Sequence, residues 1–453
     1  MEIPDVSRSY AQSQQPPQRP TPAKPVSEDE PVPLTERKEV ESLLTATPLG
    51  PNQFGTFYGA QINNDGDVTF IGRYSDVNAL GRFGQGIFVK TKAGSWRFVR
   101  NAGKISNLNE KMINIGPFNV ASNGSVIFTA TFGRSNPLHK QSQPASEEAL
   151  LNSANSNLGI FVWKDGIVSN LYHLGMEVPN LPSKFSSFSN PSINSKGAIA
   201  FVAAYVDPDG RGLFHIEDGK LRIAARSGQK IAPTETVTFS EHFYPSRINE
   251  KGEVAFFARL GNGSAIMVSR PSGIDIIARD NTLSPIKGAK YIGFGNRAPA
   301  INDKGDVAYA GFYSGPNAGR ALFVKGAVGP PRVVARTGDP TTKIAFSDFM
   351  QPSLNNLGDV VFVGRIGGRT HGIFLKTARG LEVIARSDDL PPGFEKGAEF
   401  NNFHMPSVND HGEVVFYAYL KNAKFGIFKK DASGLKMFLQ RGDALPFDAT
   451  KTN

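Results

Sequence analysis

The chain contains no cysteine among its 453 residues, which removes disulfides, thiolate metal ligands and cysteine nucleophiles together. A cysteine-free chain folds equally well in oxidising and reducing surroundings, so the compartment stays open. No run of 18 apolar residues occurs, so no helical membrane span is expected. Long amphipathic helix periods are missing, and so are the HExxH, Gly-rich phosphate-loop and GxSxG patterns of common catalytic sites. Methionine is scarce at 7 residues, against 47 Gly and 33 Phe. β-Branched and aromatic residues cluster in short runs, which predicts many short strands and many turns.

Charge is unevenly informative. The formal net charge is +9, and residues 1–38 hold five basic and six acidic side chains, leaving about +10 for the remainder. Such a surplus favours association with an acidic glycan, lipid headgroups or nucleic acid, without specifying one. No specific nucleic-acid motif is present. Residues 1–38 carry eight prolines and QSQQPPQRPTPAKP, with too little apolar content to offset the entropy of ordering. They read as a disordered Pro/Gln-rich tail or linker. Ser9-Tyr10-Ala11 has the small-x-small form of an export cleavage site, without the apolar stretch that precedes one.

What is abundant is one phrase. INNDGDVTFIGRY at Ile62 returns as VASNGSVIFTATF, INSKGAIAFVAAY, INEKGEVAFFARL, INDKGDVAYAGFY, LNNLGDVVFVGRI and VNDHGEVVFYAYL. Its glycines are Gly66, Gly124, Gly197, Gly252, Gly305, Gly358 and Gly412; the last five are 53 to 55 residues apart. The longest gap, 73 residues, contains a polar insertion from Ser135 to Asn157. Each unit holds four strand-like runs, in the sixth PSLN, DVVFVGRI, GIFLK and LEVIAR. Between the first two runs the Asn side chain accepts from the backbone two residues on, and Gly supplies a positive φ. Six units keep that Asn, whereas the second has Ala121.

The second run is almost wholly apolar, as in Val254-Ala255-Phe256-Phe257-Ala258, and fits a strand covered on both faces. A Phe three residues before the Pro or Ala of the first run, at Phe57, Phe188, Phe349 and Phe403, reads as a repeated packing position. The expected fold class is therefore all-β: a seven-bladed β-propeller of four-stranded antiparallel blades spanning 39–448, since radial closure leaves few exposed edges. Glu39 to Pro51 loosely echoes Leu381 to Gly393 and is the expected clasp of the ring, in competition with GLKMFLQRGDALP at the C-terminus.

The order PSIN, x-x-Gly, VAF, GIF, IAR resembles the bacterial tandem-repeat proteins named for their Asn-x-x-Gly-x-x-Ala-Phe signature. It is also similar to TolB-type β-propeller repeats. The resemblance covers residues 40 to 445 and implies a propeller, often in exported or surface-anchored proteins. It transfers no catalytic residue.

In a ring of meanders the first-to-second and third-to-fourth turns share one face. Here these are short and regular. The other face carries the insertion at 135–157 and the segments YVDPDGRG, YSGPNAGR and RIGGRTHG. Binding ordinarily sits on such variable loops, so the expected binding residues are Arg211, His242, Arg297, Arg320, Arg369 and His404. An exposed loop Arg is ordinarily a solvated charge, and both histidines read as caps on loop backbone before the first-run prolines. The fourth-run arginines Arg226, Arg279, Arg336 and Arg386, followed by Asp or polar residues, read as scaffold charge pairs. The NNDGD and DPDG turns lack the full spacing and late Glu of a calcium loop, so neither metal nor cofactor is expected. The function read from these features is a non-catalytic, extracytoplasmic binding or scaffold protein for a protein or acidic glycan partner. The alternative is a polysaccharide-acting hydrolase or lyase, which needs acids or histidines converging near the axis.

Overall fold

A computed structural model describes residues 52–75, 83–100, 105, 107–108, 110–133, 156–206, 209–231, 235–315, 318–340, 342–368, 370–422 and 424–447. These form seven antiparallel blades, at 54–100, 111–173, 184–226, 239–279, 291–336, 346–386 and 400–440, arranged as a β-propeller with no helix among the described residues. Blade 4 shows the plan, with consecutive neighbours Phe239–Pro245, Val254–Leu260, Gly263–Arg270 and Gly273–Arg279. Residues 1–51, including the expected tail and the expected clasp at 39–51, lie outside the described residues.

The core sits between blades. In the second strand of blade 4, Val254, Phe256 and Ala258 pack with Ala200, Val202 and Leu213 of blade 3. The alternate residues Ala255 and Phe257 pack with Tyr291, Tyr309 and Phe323 of blade 5. Side chains alternate across a strand, so a strand covered on both faces must be apolar throughout, which explains the unbroken hydrophobic runs. Phe57, Phe188, Phe349 and Phe403 are all buried, as a repeated packing position requires.

The first strands of blades 5 to 7 break just before a proline, whereas in blades 2 and 3 Pro117 and Pro191 lie inside the unbroken strands Lys111–Val120 and Lys184–Ile193. In blade 6 Phe346–Phe349 and Ser353–Leu354 flank Pro352, and in blade 7 Phe400–Phe403 and Ser407–Val408 flank Pro406. Proline has no N–H for the ladder, and in blades 5 to 7 the segment before it leaves the sheet.

Closure uses sequence-consecutive blades. Blade 7 supplies its own fourth strand, Gly434–Gln440. The chain after it pairs with the start of blade 1: Phe54 N–H donates to Asp443 C=O and Gly442 N–H to Phe54 C=O, both at 2.9 Å. The link from blade 3 to blade 4 has the same form, Gly228 to Phe239 and Phe239 to Gln229 at 2.9 Å. The C-terminal run thus occupies the closing place.

Candidate functional site

The two faces differ in how completely their polar groups are used. All seven turn glycines have positive φ, from 72° to 90°. In the turn of blade 6, Asn355 Oδ1 accepts from the amides of Leu357 and Asp359 at 3.0 and 2.8 Å. Its Nδ2 does something a turn reading alone does not anticipate: it donates to the carbonyl of Asn409 in blade 7 at 2.9 Å. The same bond runs from Asn194 to Asn249, Asn249 to Asn302, Asn302 to Asn355 and, across the closure, Asn409 to Asn63. First strands joined this way are the innermost of each blade. Blade 2, with Ala121, substitutes Asn123, whose Nδ2 donates to Ser195 C=O at 2.8 Å.

The next residue in each turn adds a second ring. Asp410 accepts from Asn64 Nδ2 at 2.7 Å and Asn356 Nδ2 at 2.8 Å, and the latter also reaches Asp303 at 2.7 Å. Glu250 accepts from the Ser195 amide and from Ser122 of blade 2, both at 3.1 Å. A contact that skips blade 3 places this ring close to the axis. Three carboxylates therefore gather here, Glu250, Asp303 and Asp410, but each is engaged by backbone amides and neutral side chains. Among the described residues no cluster of His, Asp and Glu has the arrangement of a metal site.

The opposite face carries the irregular segments. In blade 2 the second strand ends at Gly133 and the third, Ser156–Lys164, begins after the insertion, which lies outside the described residues except at its end. Two of the six expected binding residues meet on the opposite face. Arg297, in the broken first strand of blade 5, forks onto Asp348 of blade 6, with Nη1 to Oδ1 at 3.1 Å and Nη2 to Oδ2 at 3.0 Å. Arg297 Nη1 also donates to Phe349 C=O. Arg320, at the start of the third strand of blade 5, adds a contact at 2.9 Å to Asp348 Oδ2 and lies 5.0 Å over the Phe312 ring. Burial raises the Asp348 pKa, but the Arg297 fork and Arg320 outweigh it and hold the carboxyl below its ordinary value. Two cations on one anion leave a local surplus of positive charge between the blades.

The other expected residues are not brought to this cluster by any recorded contact. Arg211 is half-buried, and its backbone amide donates to Ser227 Oγ at 3.1 Å. His242 is exposed on the first strand of blade 4. His404 is no backbone cap: its ring lies against Tyr417 and Tyr419, at 5.0 and 5.3 Å between centroids, and burial lowers its pKa. Arg369 lies outside the described residues. The fourth-run arginines also need correction. The polar residue three positions on binds the arginine backbone amide, Gln229 to Arg226 at 3.1 Å and Asp389 to Arg386 at 2.8 Å, so these are turn closures. Of these four, Arg279 shows a side-chain ion pair among the described residues, with Glu235 at 3.0 Å.

One residue escaped the sequence reading. Arg247 lies between the end of the first strand of blade 4, Phe239–Pro245, and its Asn-x-x-Gly turn, and its side chain is exposed to solvent. Loss of hydration pushes its pKa down to about 10. The signal was present in PSRIN, which is one residue longer than PSIN, PSLN and PSVN.

Such a scaffold, its turns joined from blade to blade by side-chain hydrogen bonds, defines a seven-bladed β-propeller. The chain belongs to the family of unknown function DUF7453, whose model matches residues 36–265 and again 261–451. No curated protein matches it. Among solved structures it is similar to a Mycobacterium tuberculosis puromycin-hydrolyzing peptidase, at 12% identity and TM-score 0.47, covering 88% of this chain and 55% of that one. It is also similar to a Hadza microbial sialidase, at 12% identity and TM-score 0.33, over 81% of this chain and 63% of that one. The six-bladed Aleuria aurantia lectin matches at 10% identity and TM-score 0.30, over 77% of this chain and 100% of the lectin. This chain thus spans about half the length of the peptidase. Likeness at this level carries no argument about activity. No described helix is long and apolar enough to cross a membrane.

Proposed function

We propose that this protein is a non-catalytic β-propeller that binds an acidic glycan or a protein partner through the face bearing its second-to-third-strand turns and blade-to-blade connections. The observation that supports this reading is the asymmetry of hydrogen bonding between the faces. On the turn face each turn Asn side chain donates to the backbone carbonyl of the matching Asn in the next blade, leaving little that is specific to one blade. On the other face Arg297, Asp348 and Arg320 form a cluster that no other blade repeats among the described residues. Arg211, His242, Arg369 and His404 belong to the same proposed surface. An extracytoplasmic setting is part of this proposal, as is a partner attracted by the net charge of +9.

A glycan array read at low and raised salt tests it with two variants. One removes charge from the proposed surface, at Arg211, Arg320 and Arg369. The other removes Lys196, Lys251 and Lys304, which are exposed on the turn face. Salt-sensitive capture of acidic glycans lost only in the first variant is the expected result. No capture, or equal loss in both, refutes the assignment of the face.

A further inference from the structure

Pro245-Ser246-Arg247-Ile248-Asn249 exceeds its counterparts by one residue: 191–194, 299–302, 352–355 and 406–409 read Pro-Ser-Ile-Asn, Pro-Ala-Ile-Asn, Pro-Ser-Leu-Asn and Pro-Ser-Val-Asn. The structure shows which residue is the extra one. Pro245 pairs with Phe256, and Ser246 N–H donates to Ala255 C=O at 2.6 Å. Beyond it the turn is unchanged, with Gly252 N–H donating to Asn249 C=O at 3.0 Å. Both flanks keep the register of the repeat, so Arg247 bulges from the innermost strand.

Its level in the ring is otherwise uncharged. The residue two before each turn position is Gln61, Asn119, Ser192, Ala300, Ser353 or Ser407 in the other blades. The Arg247 backbone carbonyl accepts from Ser246 Oγ at 2.8 Å, but the guanidinium has no hydrogen-bond or ion-pair partner among the described residues. No charged group offsets its loss of hydration. A guanidinium offers five N–H donors and no acceptor, so within the protein it calls for an oxyanion.

We infer that Arg247 anchors a binding site for a monocarboxylate in the axial channel, entered from the face opposite the Asn-x-x-Gly turns. One guanidinium supplies one positive charge and a fork that matches a carboxylate through two parallel bonds. A phosphate or sulfate dianion held there would retain negative charge that nothing nearby balances. Met350 and Met405, exposed in the breaks of the first strands of blades 6 and 7, are apolar side chains on the same set of inner segments, of the kind that packs against the body of a ligand. The ligand class is therefore a carboxylate-bearing sugar of the uronate type. The choice of sugar over another carboxylate rests on the glycan reading above.

Calorimetric titration of the full chain with galacturonate and glucuronate oligomers tests this, with neutral galactose oligomers, inorganic sulfate and inorganic phosphate as comparison probes. The expected result is binding of a uronate that Arg247→Met weakens roughly ten-fold or more and Arg247→Lys weakens less. Because the guanidinium has no protein partner, R247M keeps the circular dichroism and melting temperature of the parent, which separates lost binding from lost folding. Unchanged affinity in R247M, uronate binding no tighter than galactose, sulfate or phosphate, or no uronate binding at all overturns the inference. An acidic glycan captured equally by parent and R247M overturns it while leaving the proposed function standing. Uronate binding lost in R247M beside an empty glycan array upholds the channel site and removes the broader reading.

Discussion

Replacing Asn355 by Ala removes the blade-to-blade clasp at a site where its parts are countable. Asn355 is 3% exposed, so the groups it leaves behind have little access to water. Two amides, of Leu357 and Asp359, lose acceptors at 3.0 and 2.8 Å. The carbonyl of Asn409 and the carboxylate of Asp359 lose donors at 2.9 and 3.0 Å. A buried group stripped of its partner costs about 1–3 kcal/mol, but some of these groups have other neighbours, so N355A is expected to lose about 2–4 kcal/mol. Guanidinium unfolding followed by fluorescence and circular dichroism reads this as a lowered midpoint at unchanged slope. Asn355→Asp sharpens the test. It keeps both acceptors for the amides, gives up the donor to blade 7 and sets a carboxylate beside Asp359, so it fails to restore stability. A loss below about 0.5 kcal/mol in N355A, or parental stability in N355D, refutes the clasp.

Two other substitutions probe charge and packing between and within the blades. Asp348→Asn dismantles the fork between blades 5 and 6 and is expected to cost about 2 kcal/mol at neutral pH. The folded-state pKa of Asp348 is lowered, so its contribution is fully present above the unfolded value of about 3.9 and is lost as pH falls through the folded value. Melting temperature in the acid range therefore falls less steeply with decreasing pH in D348N than in the parent, and parallel curves contradict the ion pair. Gly364→Ala places a Cβ 2.7 Å from the Phe346 ring and 3.0 Å from the Phe374 ring, both buried. Overpacking there is expected to cost about 1–3 kcal/mol, whereas Gly368→Ala, with open space at its Cβ, stays near the parent in thermal melts.

The blades were legible because their determinants are local and repeated. Asn-x-x-Gly sets a turn within six residues, and a strand apolar on both faces announces neighbours on both sides. The Asn ring was legible only in half. The Oδ1 bonds stay within the turn, while the Nδ2 bond reaches a residue 53 to 55 positions away in blades 3 to 6, and nothing in one repeat reveals that the next will present a carbonyl there. Arg297 and Arg320 were visible as loop cations, but their convergence on Asp348 depends on two blades meeting at an angle that no spacing encodes. His404 looked like a cap because it precedes a proline, whereas the aromatic residues Tyr417 and Tyr419 on the neighbouring strand claim its ring.

Repetition also explains why Arg247 was overlooked. Aligning repeats by their glycines rewards what recurs, and one inserted residue disappears as noise between Ser246 and Ile248. In a closed ring, however, equivalent positions meet equivalent neighbours, so a residue kept in every blade is satisfied by its own copies. The turn Asn bonds the next turn Asn; the polar residue after it bonds its counterpart. A site for one ligand must be drawn from positions where that mutual satisfaction fails. Along the innermost strands the failure grows with distance from the turns: Asn in six blades of seven, then small or neutral polar residues with the single exception of Arg247, then Tyr58, Asn190, Arg297, Met350 and Met405 nearer the opposite face. A ligand that selects this protein over another propeller of the same repeat must therefore read the upper tiers, and a variant that shuffles the turn residues among blades should leave its binding intact.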